Sequence, residues 1–242
     1  MKNYRYLDLI LAGFVTVLLV SNIASSAKIV DWGVSLLGLR LSFDAGTLLF
    51  PISYIFGDVL TEVYGYQRSR RVIWMGFGAL ALTGFTLWLV SRLPGEANWQ
   101  ASAGDSAYAA ILGGVSNGGI IVASLAAYWV GEFTNSVVLA KMKVATAGRW
   151  LWTRTIGSTL IGQGVDSSIF VFAATLFQVP GFAPEIALNL IVTNYIFKVG
   201  IEVLMTPLTY QVVSYLKRVE QEDYYDTGTD FNPFRLQTRS NA

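Results

Sequence analysis

Six long apolar segments dominate this sequence, and they decide the class of fold that the chain can adopt. A helix that crosses a membrane needs about 20 mostly apolar residues, and each of the six segments reaches that length. The apolar runs are continuous, whereas strands of a membrane β-barrel would be shorter and alternate in hydrophobicity. We therefore predict an all-α, polytopic membrane protein with six transmembrane helices. The predicted helices are Leu7–Ala27, Asp44–Tyr64, Val72–Leu93, Gly119–Met142, Thr155–Phe177 and Ile186–Leu216.

The composition excludes several other classes of protein. Only 14% of the 242 residues are charged, against about 25% in a typical soluble domain. Cysteine and histidine are absent, which removes disulfides, Cys/His zinc sites, haem ligation through His and any Ser-His dyad. The formal net charge of +1 gives no basic signal for nucleic acid. We predict no enzymatic activity, no catalytic residues, no cofactor, no metal and no nucleic-acid partner.

The positions of Lys and Arg predict the orientation of the chain in the membrane. Thirteen of the 17 basic residues fall in the N-terminus, the second and fourth loops and the C-terminal tail, and three fall in the other loops. Both termini are therefore predicted to be cytoplasmic, with a six-helix domain over 1–219 and a polar tail over 220–242. The stretch 94–115 is predicted to be a long external loop. A cleavable signal peptide ending near Ser25-Ser26-Ala27 is an alternative that would leave five spans.

Polar residues at membrane depth point to a function. A charge at the bilayer centre costs about 2.5–3.5 kcal/mol, so six charges facing lipid would cost roughly 15–21 kcal/mol, more than a typical folding stability of about 5–15 kcal/mol. These groups are therefore predicted to face a polar chamber inside the bundle. With five acids and one base there, either some acids carry a proton or a cation enters. The six groups are Asp58, Glu62, Glu132, Asp166, Lys198 and Glu202.

The polar residues are assigned two roles. Glu62 and Glu202 are candidates for proton coupling, although Glu62 could instead reach water at the inner interface, and Lys198 could simply pair with Glu202 along one helix. The amides in the set could also bond only between helices. The predicted substrate-binding residues are Asn22, Asp58, Glu132, Asn135, Gln163, Asp166, Asn194 and Lys198.

Four motifs carry a resemblance to a known family. They are Phe50–Gly65 followed by Arg70-Arg71, Gly131–Asn135, Ser158–Ser167 and Tyr195–Lys198. In this order and spacing they resemble the queuosine-precursor transporter family, also called vitamin-uptake-like or VUT proteins, over nearly the whole bundle. Within these motifs and the Ser-Asn of the first helix, the family positions fall on Asn22, Asp58, Gln163, Asp166 and Lys198.

The resemblance implies a fold and an activity. The fold would be similar to the vitamin-binding S-components of energy-coupling-factor transporters. The activity would be uptake of 7-deazaguanines such as preQ0 and preQ1 across the plasma (inner) membrane. An acid-rich chamber suits such a ligand, because a carboxylate can accept two adjacent N–H donors from a guanine-like edge.

Other functions stay open at this point. They are an ion-coupled carrier for another vitamin or cationic nutrient, an intramembrane aspartyl protease that uses Asp58 and Asp166, and a structural subunit. Proton coupling, facilitated diffusion and a partner ATPase are all compatible with the sequence as energy sources. Apart from the substrate and membrane lipids, a second copy of the chain is a possible partner, because faces of small residues could serve either packing within the chain or a dimer.

Overall fold

The computed structural model describes residues 4–36, 39–178 and 184–235, which form a helical bundle. Five helical stretches are long and apolar enough to cross a membrane, and these are Leu7–Ala27, Tyr66–Val90, Gly104–Ala145, Leu151–Leu176 and Tyr195–Glu220. The prediction of a polytopic helical membrane protein is therefore confirmed. The helices are α1 (Leu7–Ala27), α2 (Phe50–Tyr64), α3 (Tyr66–Val90), α4 (Ala97–Ser102), α5 (Gly104–Ser116), α6 (Gly118–Ala145), α7 (Leu151–Leu176) and α8 (Pro184–Glu220).

The second predicted span differs from a single long helix. Its first part, Ala45–Leu49, is a 3₁₀ turn, and the α-helix that follows has only 15 residues. Pro51 lies in the first turn of this helix, where a missing N–H removes no intrahelical hydrogen bond. The change from 3₁₀ to α geometry therefore coincides with a residue that favours a helix start.

A β-hairpin lies between α1 and this turn, outside the six predicted helices. Strand β1 (Ile29–Leu36) pairs antiparallel with β2 (Leu39–Asp44), and an irregularity in register occurs between Asp31 and Ser35. Polar residues alternate with apolar ones along both segments, which is the period of a strand. The sequence analysis does not predict this hairpin, because its alternation is short compared with the apolar runs on either side.

The prediction of loop structure for 94–115 is wrong, because this stretch contains α4 and most of α5. Side-chain caps explain where two of the helices in this region begin. The Glu96 carboxylate accepts a hydrogen bond from the backbone N–H of Trp99 at 2.9 Å, at the start of α4. The Asn117 side chain accepts from the N–H groups of Gly119 and Ile120, at 2.9 and 3.2 Å, at the start of α6.

Both ends of the described chain meet at one end of the bundle, which we call the terminal end. The Tyr4 hydroxyl donates to the Glu222 carboxylate at 2.8 Å. The Glu220 carboxylate, at the last residue of α8, accepts from the backbone N–H groups of Arg5 and Tyr6 at 3.0 and 2.7 Å. The first and last helices are therefore tied together where α1 begins and α8 ends.

The residues after α8, 221–235, form what we call the C-terminal segment, and this segment packs on α3. The Asp226 carboxylate accepts from the backbone N–H of Tyr66, the first residue of α3, at 3.0 Å. The Arg70 guanidinium donates to the carbonyl of Asn232 at 2.6 Å, and the Trp74 indole donates to that of Pro233 at 2.8 Å. The segment thus supplies a helix cap and follows the first turns of α3.

Packing of the C-terminal segment against the start of α3 requires a glycine at position 65, between α2 and α3. Its φ is +84°, and an added Cβ would lie 2.2 Å from Cδ1 of Tyr224 in the C-terminal segment. We expect Gly65→Ala to lower the free energy of unfolding by about 1–3 kcal/mol, because alanine disfavours this φ and displaces the tyrosine ring. Thermal unfolding of the purified protein in detergent measures the loss. Gly78→Ala is the matched control, because an added Cβ there meets nothing within 4 Å; equal melting temperatures for the two variants would contradict the prediction.

Candidate functional site

Helices α6 and α7 approach closely at two glycines, and this approach brings four predicted polar residues together. A Cβ on Gly131 would lie 2.8 Å from Cβ of Asp166, and a Cβ on Gly162 would lie 2.8 Å from Cβ of Asn135. Only residues without side chains permit such a short distance between helices. The polar residues next to these glycines, Glu132 and Asn135 on α6 and Gln163 and Asp166 on α7, therefore lie along one interface.

Lys198 of α8 joins this interface through an ion pair. Its ammonium nitrogen lies 2.5 Å from Oδ2 of Asp166 on α7, and both side chains are partly exposed. Glu132 is close enough to interact electrostatically with both partners. Three helices thus contribute two carboxylates and one ammonium group to a single cluster. We call Glu132, Asp166 and Lys198 the charged cluster.

Next to the charged cluster, three polar oxygens are buried without a hydrogen-bond partner among the described residues. They are Oδ1 of Asn135, Oε1 of Gln163 and Oγ of Ser167. A buried acceptor without a partner costs about 1–3 kcal/mol, so such groups are uncommon unless they receive a ligand or a water. Ser167 is absent from the sequence prediction, although its spacing of four residues from Gln163 places both on one helix face.

Asp58 and Glu202 form a second pair of acidic groups, between α2 and α8. Each side chain is only 1% exposed, and the two carboxyl groups interact directly. Glu132 connects this pair with the charged cluster, since its Oε2 lies 3.7 Å from where a Cβ on Gly57 would be. Both Glu202 oxygens lack a donor from the described part of the chain, so Lys198 does not bond to Glu202 along α8.

Glu62 lies at the terminal end of α2 and is surrounded by cations. The Arg154 guanidinium donates to both carboxylate oxygens, at 2.7 and 2.8 Å, and Lys217 lies 2.5 Å from Oε1. Lys143 is 3.6 Å from the same oxygen and also bonds to Asp223 at 2.5 Å. Glu62 is fully buried, as are Lys143 and Arg154. We call these five residues the Glu62 network.

Asp223 connects the Glu62 network to water, because its side chain is 44% exposed. Partial burial opposes its ionisation, but hydrogen bonds from Lys143 and Lys217 outweigh that effect and hold the pKa of Asp223 below its ordinary value of 3.8. The three cations were treated in the sequence analysis only as topology signals. Their positions just outside the apolar runs gave no indication that they are buried.

Two predicted site residues are not joined to these groups by any described contact. Asn22 donates to the carbonyl of Leu18 at 2.8 Å and lines a small, mostly apolar cavity of about 40 Å³ between α1, α3, α5 and α6. The side chain of Asn194 lies outside the described residues. A second cavity, of about 360 Å³, lies at the end of the bundle opposite the terminal end, and its lining includes Trp88, Arg92, Asp105 and Tyr108. The linings of these two cavities do not include the charged cluster.

Comparison of the sequence with known proteins shows the family of the chain. The family described as "Putative vitamin uptake transporter" matches residues 44–212, which is more than half of the chain. The chain belongs to this family. The match includes α2, α6, α7 and most of α8, and therefore the charged cluster, Asp58, Glu202 and Glu62. Membership confirms the resemblance found in the sequence and the prediction that the protein is a transporter rather than an enzyme.

Individual relatives of this vitamin-uptake transporter carry a more specific name. The "Probable queuosine precursor transporter" of Bacillus subtilis (strain 168) is 25% identical over 73% of this chain and 73% of its own length. The "Queuosine precursor transporter" of Escherichia coli (strain K12) is 27% identical over 79% of this chain and 80% of its own. The "Probable queuosine precursor transporter" of Haemophilus influenzae is 24% identical over 69% and 67%. No solved structure matches the chain.

In this transporter, the two aspartates that a protease would need do not form a catalytic pair. Asp166 bonds to Lys198, and Asp58 interacts with Glu202. An aspartyl protease needs two carboxyl groups that share one site and one proton. The geometry therefore disfavours the protease alternative, in agreement with the family.

Proposed function

We propose that this protein imports a queuosine precursor, a 7-deazaguanine such as preQ0 or preQ1, across the plasma membrane. The observation that carries the proposal is the charged cluster together with the unpartnered oxygens of Asn135, Gln163 and Ser167 on the same helices. Buried acceptors without donors, beside an ion pair in an apolar bundle, suit a ligand rich in N–H groups. The names of the three relatives support the same class of substrate.

The chemistry of the ligand fits these groups. A guanine-like edge presents adjacent N–H donors, which a carboxylate accepts as a bidentate, charge-assisted pair. Glu132 and Asp166 are the proposed acceptors, and the amide oxygens of Asn135 and Gln163 accept further donors. Lys198 would donate to the ring carbonyl, and preQ1 would place its aminomethyl cation near an acid. Asp58, Asn22 and Asn194 remain predicted contacts that no described distance links to the charged cluster.

We also propose that the chain crosses the membrane six times. The N-terminus and the C-terminal segment lie at the same end of the bundle, which requires an even number of crossings. The sixth crossing would be α2 with the 3₁₀ turn before it. At about 1.5 Å per residue over 15 residues and about 2 Å over five, the two span roughly 32 Å, close to the hydrocarbon thickness of about 30 Å.

The terminal end is proposed to face the cytoplasm. Arg70, Lys143, Arg154 and Lys217 all lie at this end, as the positive-inside rule would require. Similarity to the S-component fold and formation of a dimer remain predictions of the same proposal, as does contact of the exposed apolar helix faces with lipid.

A carrier for another vitamin or cationic nutrient is the second candidate. The family description itself names vitamin uptake, and a charged cluster could accept other cationic or donor-rich ligands. The two candidates differ in which unlabelled compound competes with labelled preQ0 or preQ1 for binding.

Asp166→Asn tests the proposed site. We expect uptake of labelled preQ1 to fall by about 10- to 100-fold in cells that cannot make the precursor, because one charge-assisted hydrogen bond is worth about 1.5–3 kcal/mol. Restoration of modified tRNA provides an independent readout. Ser168→Ala is the matched control, because Ser168 is exposed and donates only to the carbonyl of Gly164. Normal uptake by a correctly inserted Asp166→Asn protein would exclude this site, and failure of the unmodified chain to restore tRNA modification would exclude the substrate.

A further inference from the structure

Asp58 and Glu202 are the least compensated acids in the described bundle. They lie on different helices, α2 and α8, and each is 99% buried. Their carboxyl groups interact with each other, while Oδ2 of Asp58 and both oxygens of Glu202 have no donor from any other described residue. Two carboxylates in contact are acceptors only, so a hydrogen bond between them requires one proton.

The charged groups around the pair do not supply a counter-ion. The acids that act most strongly on Asp58, besides Glu202, are Glu62 on α2 and Glu132 on α6. Glu62 is compensated by Arg154, Lys143 and Lys217, and Lys198 is bonded to Asp166. The neighbours thus add negative charge to the pair, and their cations are engaged elsewhere.

We propose that Asp58 and Glu202 together bind one proton, and that this proton is the coupling ion of transport. A Ca²⁺ or Mg²⁺ ion would need at least six oxygen ligands, whereas the pair offers three carboxylate oxygens without a donor from the other described residues. A proton needs only the two carboxyl groups. The inference rests on the proposed function, and it adds the energy source that the function leaves open.

The position of Glu132 gives the coupling a physical route. Glu132 interacts with Asp166 and Lys198 on one side and with Asp58 on the other. A substrate whose ring carbonyl draws the Lys198 ammonium away from Glu132 makes the field at Asp58 more negative, and the pair then binds its proton more tightly. Substrate and proton are therefore linked through one side chain.

The test uses the purified chain in sealed vesicles, with labelled preQ0 as the probe and no downstream enzyme. A pH gradient of one unit, alkaline inside, should drive about tenfold accumulation if one proton accompanies each substrate. Glu202→Gln should abolish this accumulation while exchange of labelled for unlabelled preQ0 continues, because the amide can still bond to Asp58 but cannot bind and release the proton. Asp8→Asn, at an exposed position in α1, is the control and should accumulate like the unmodified chain.

Each outcome decides the matter. Accumulation by Glu202→Gln equal to that of the unmodified chain would overturn the assignment, and so would accumulation driven by a sodium gradient but not by a pH gradient. If Glu202→Gln fails to fold, a pH indicator still reports whether preQ0 changes the number of protons bound by the unmodified chain and by Glu202→Asp. Absence of any change in the unmodified chain overturns the proposal. Absence of exchange in the unmodified chain would instead remove the proposed function.

Discussion

Glu62→Gln is expected to lower the free energy of unfolding by about 3–5 kcal/mol. The substitution removes the carboxylate that compensates the buried Arg154 and one of the two that lie near the buried Lys143, and an uncompensated buried charge is strongly destabilising. Lys217 keeps Asp223 as a partner at 2.8 Å, but Arg154 retains only its bond to the carbonyl of Arg149. Titration with SDS from a mild detergent, followed by circular dichroism, measures the change.

An exposed ion pair serves as the control for this prediction. Asp230 and Arg235 form a salt bridge at 2.7 Å with side chains about half exposed, so Asp230→Asn should cost less than about 1 kcal/mol. The double variant Glu62→Gln with Arg154→Met should recover part of the loss, because it removes the stranded charge as well. If Glu62→Gln is as stable as Asp230→Asn, the Glu62 network does not stabilise the fold. If the Glu62→Gln protein is stable but its uptake no longer depends on pH, Glu62 would be the residue that couples transport to protons.

Removal of residues 221–242 is expected to lower the free energy of unfolding by about 3–5 kcal/mol. The truncation deletes the Asp226 cap on α3, worth about 1 kcal/mol. It also deletes hydrogen-bond partners of Arg70, Trp74 and Lys143, at about 1 kcal/mol each. Phe231 packs on Tyr66 with ring centroids 5.0 Å apart, so apolar contact is lost as well. The melting temperature in detergent should fall accordingly.

A shorter truncation separates this effect from a general effect of shortening the chain. Removal of 236–242 leaves every contact named above intact and should lower the melting temperature much less than removal of 221–242. Asp226→Ala isolates the cap and should account for about 1 kcal/mol of the loss. Equal stability of the two truncated proteins would show that the C-terminal segment contributes nothing to the fold.

The long helices could be predicted from the sequence because they depend on local composition. The first span agrees at both ends with α1, and the last four agree within several residues, since lipid selects for continuous apolar runs. The hairpin of β1 and β2 and the break before α2 could not be predicted in this way. Both occur where the chain is less apolar, and there short-range alternation and Pro51 decide the structure.

The candidate site could be predicted from the sequence only in part. Insertion cost alone predicts that Asp58, Asp166 and Glu202 face the interior, but spacing within one helix cannot say which helices meet. Lys198 bonds to Asp166 on α7, although Glu202 is one turn away on its own helix. Whether Glu62 faces water or cations could likewise not be read from the sequence, because its partners come from three other helices.

The C-terminal segment has a consequence for the way cargo can leave. It binds the carbonyl of Val63 at the end of α2, the first turns of α3, and Lys143 near the end of α6, all within one short stretch of chain. An exit route between these helices cannot widen while the same stretch holds all three. Cargo could therefore leave between these helices only after the hydrogen bonds of the C-terminal segment have opened.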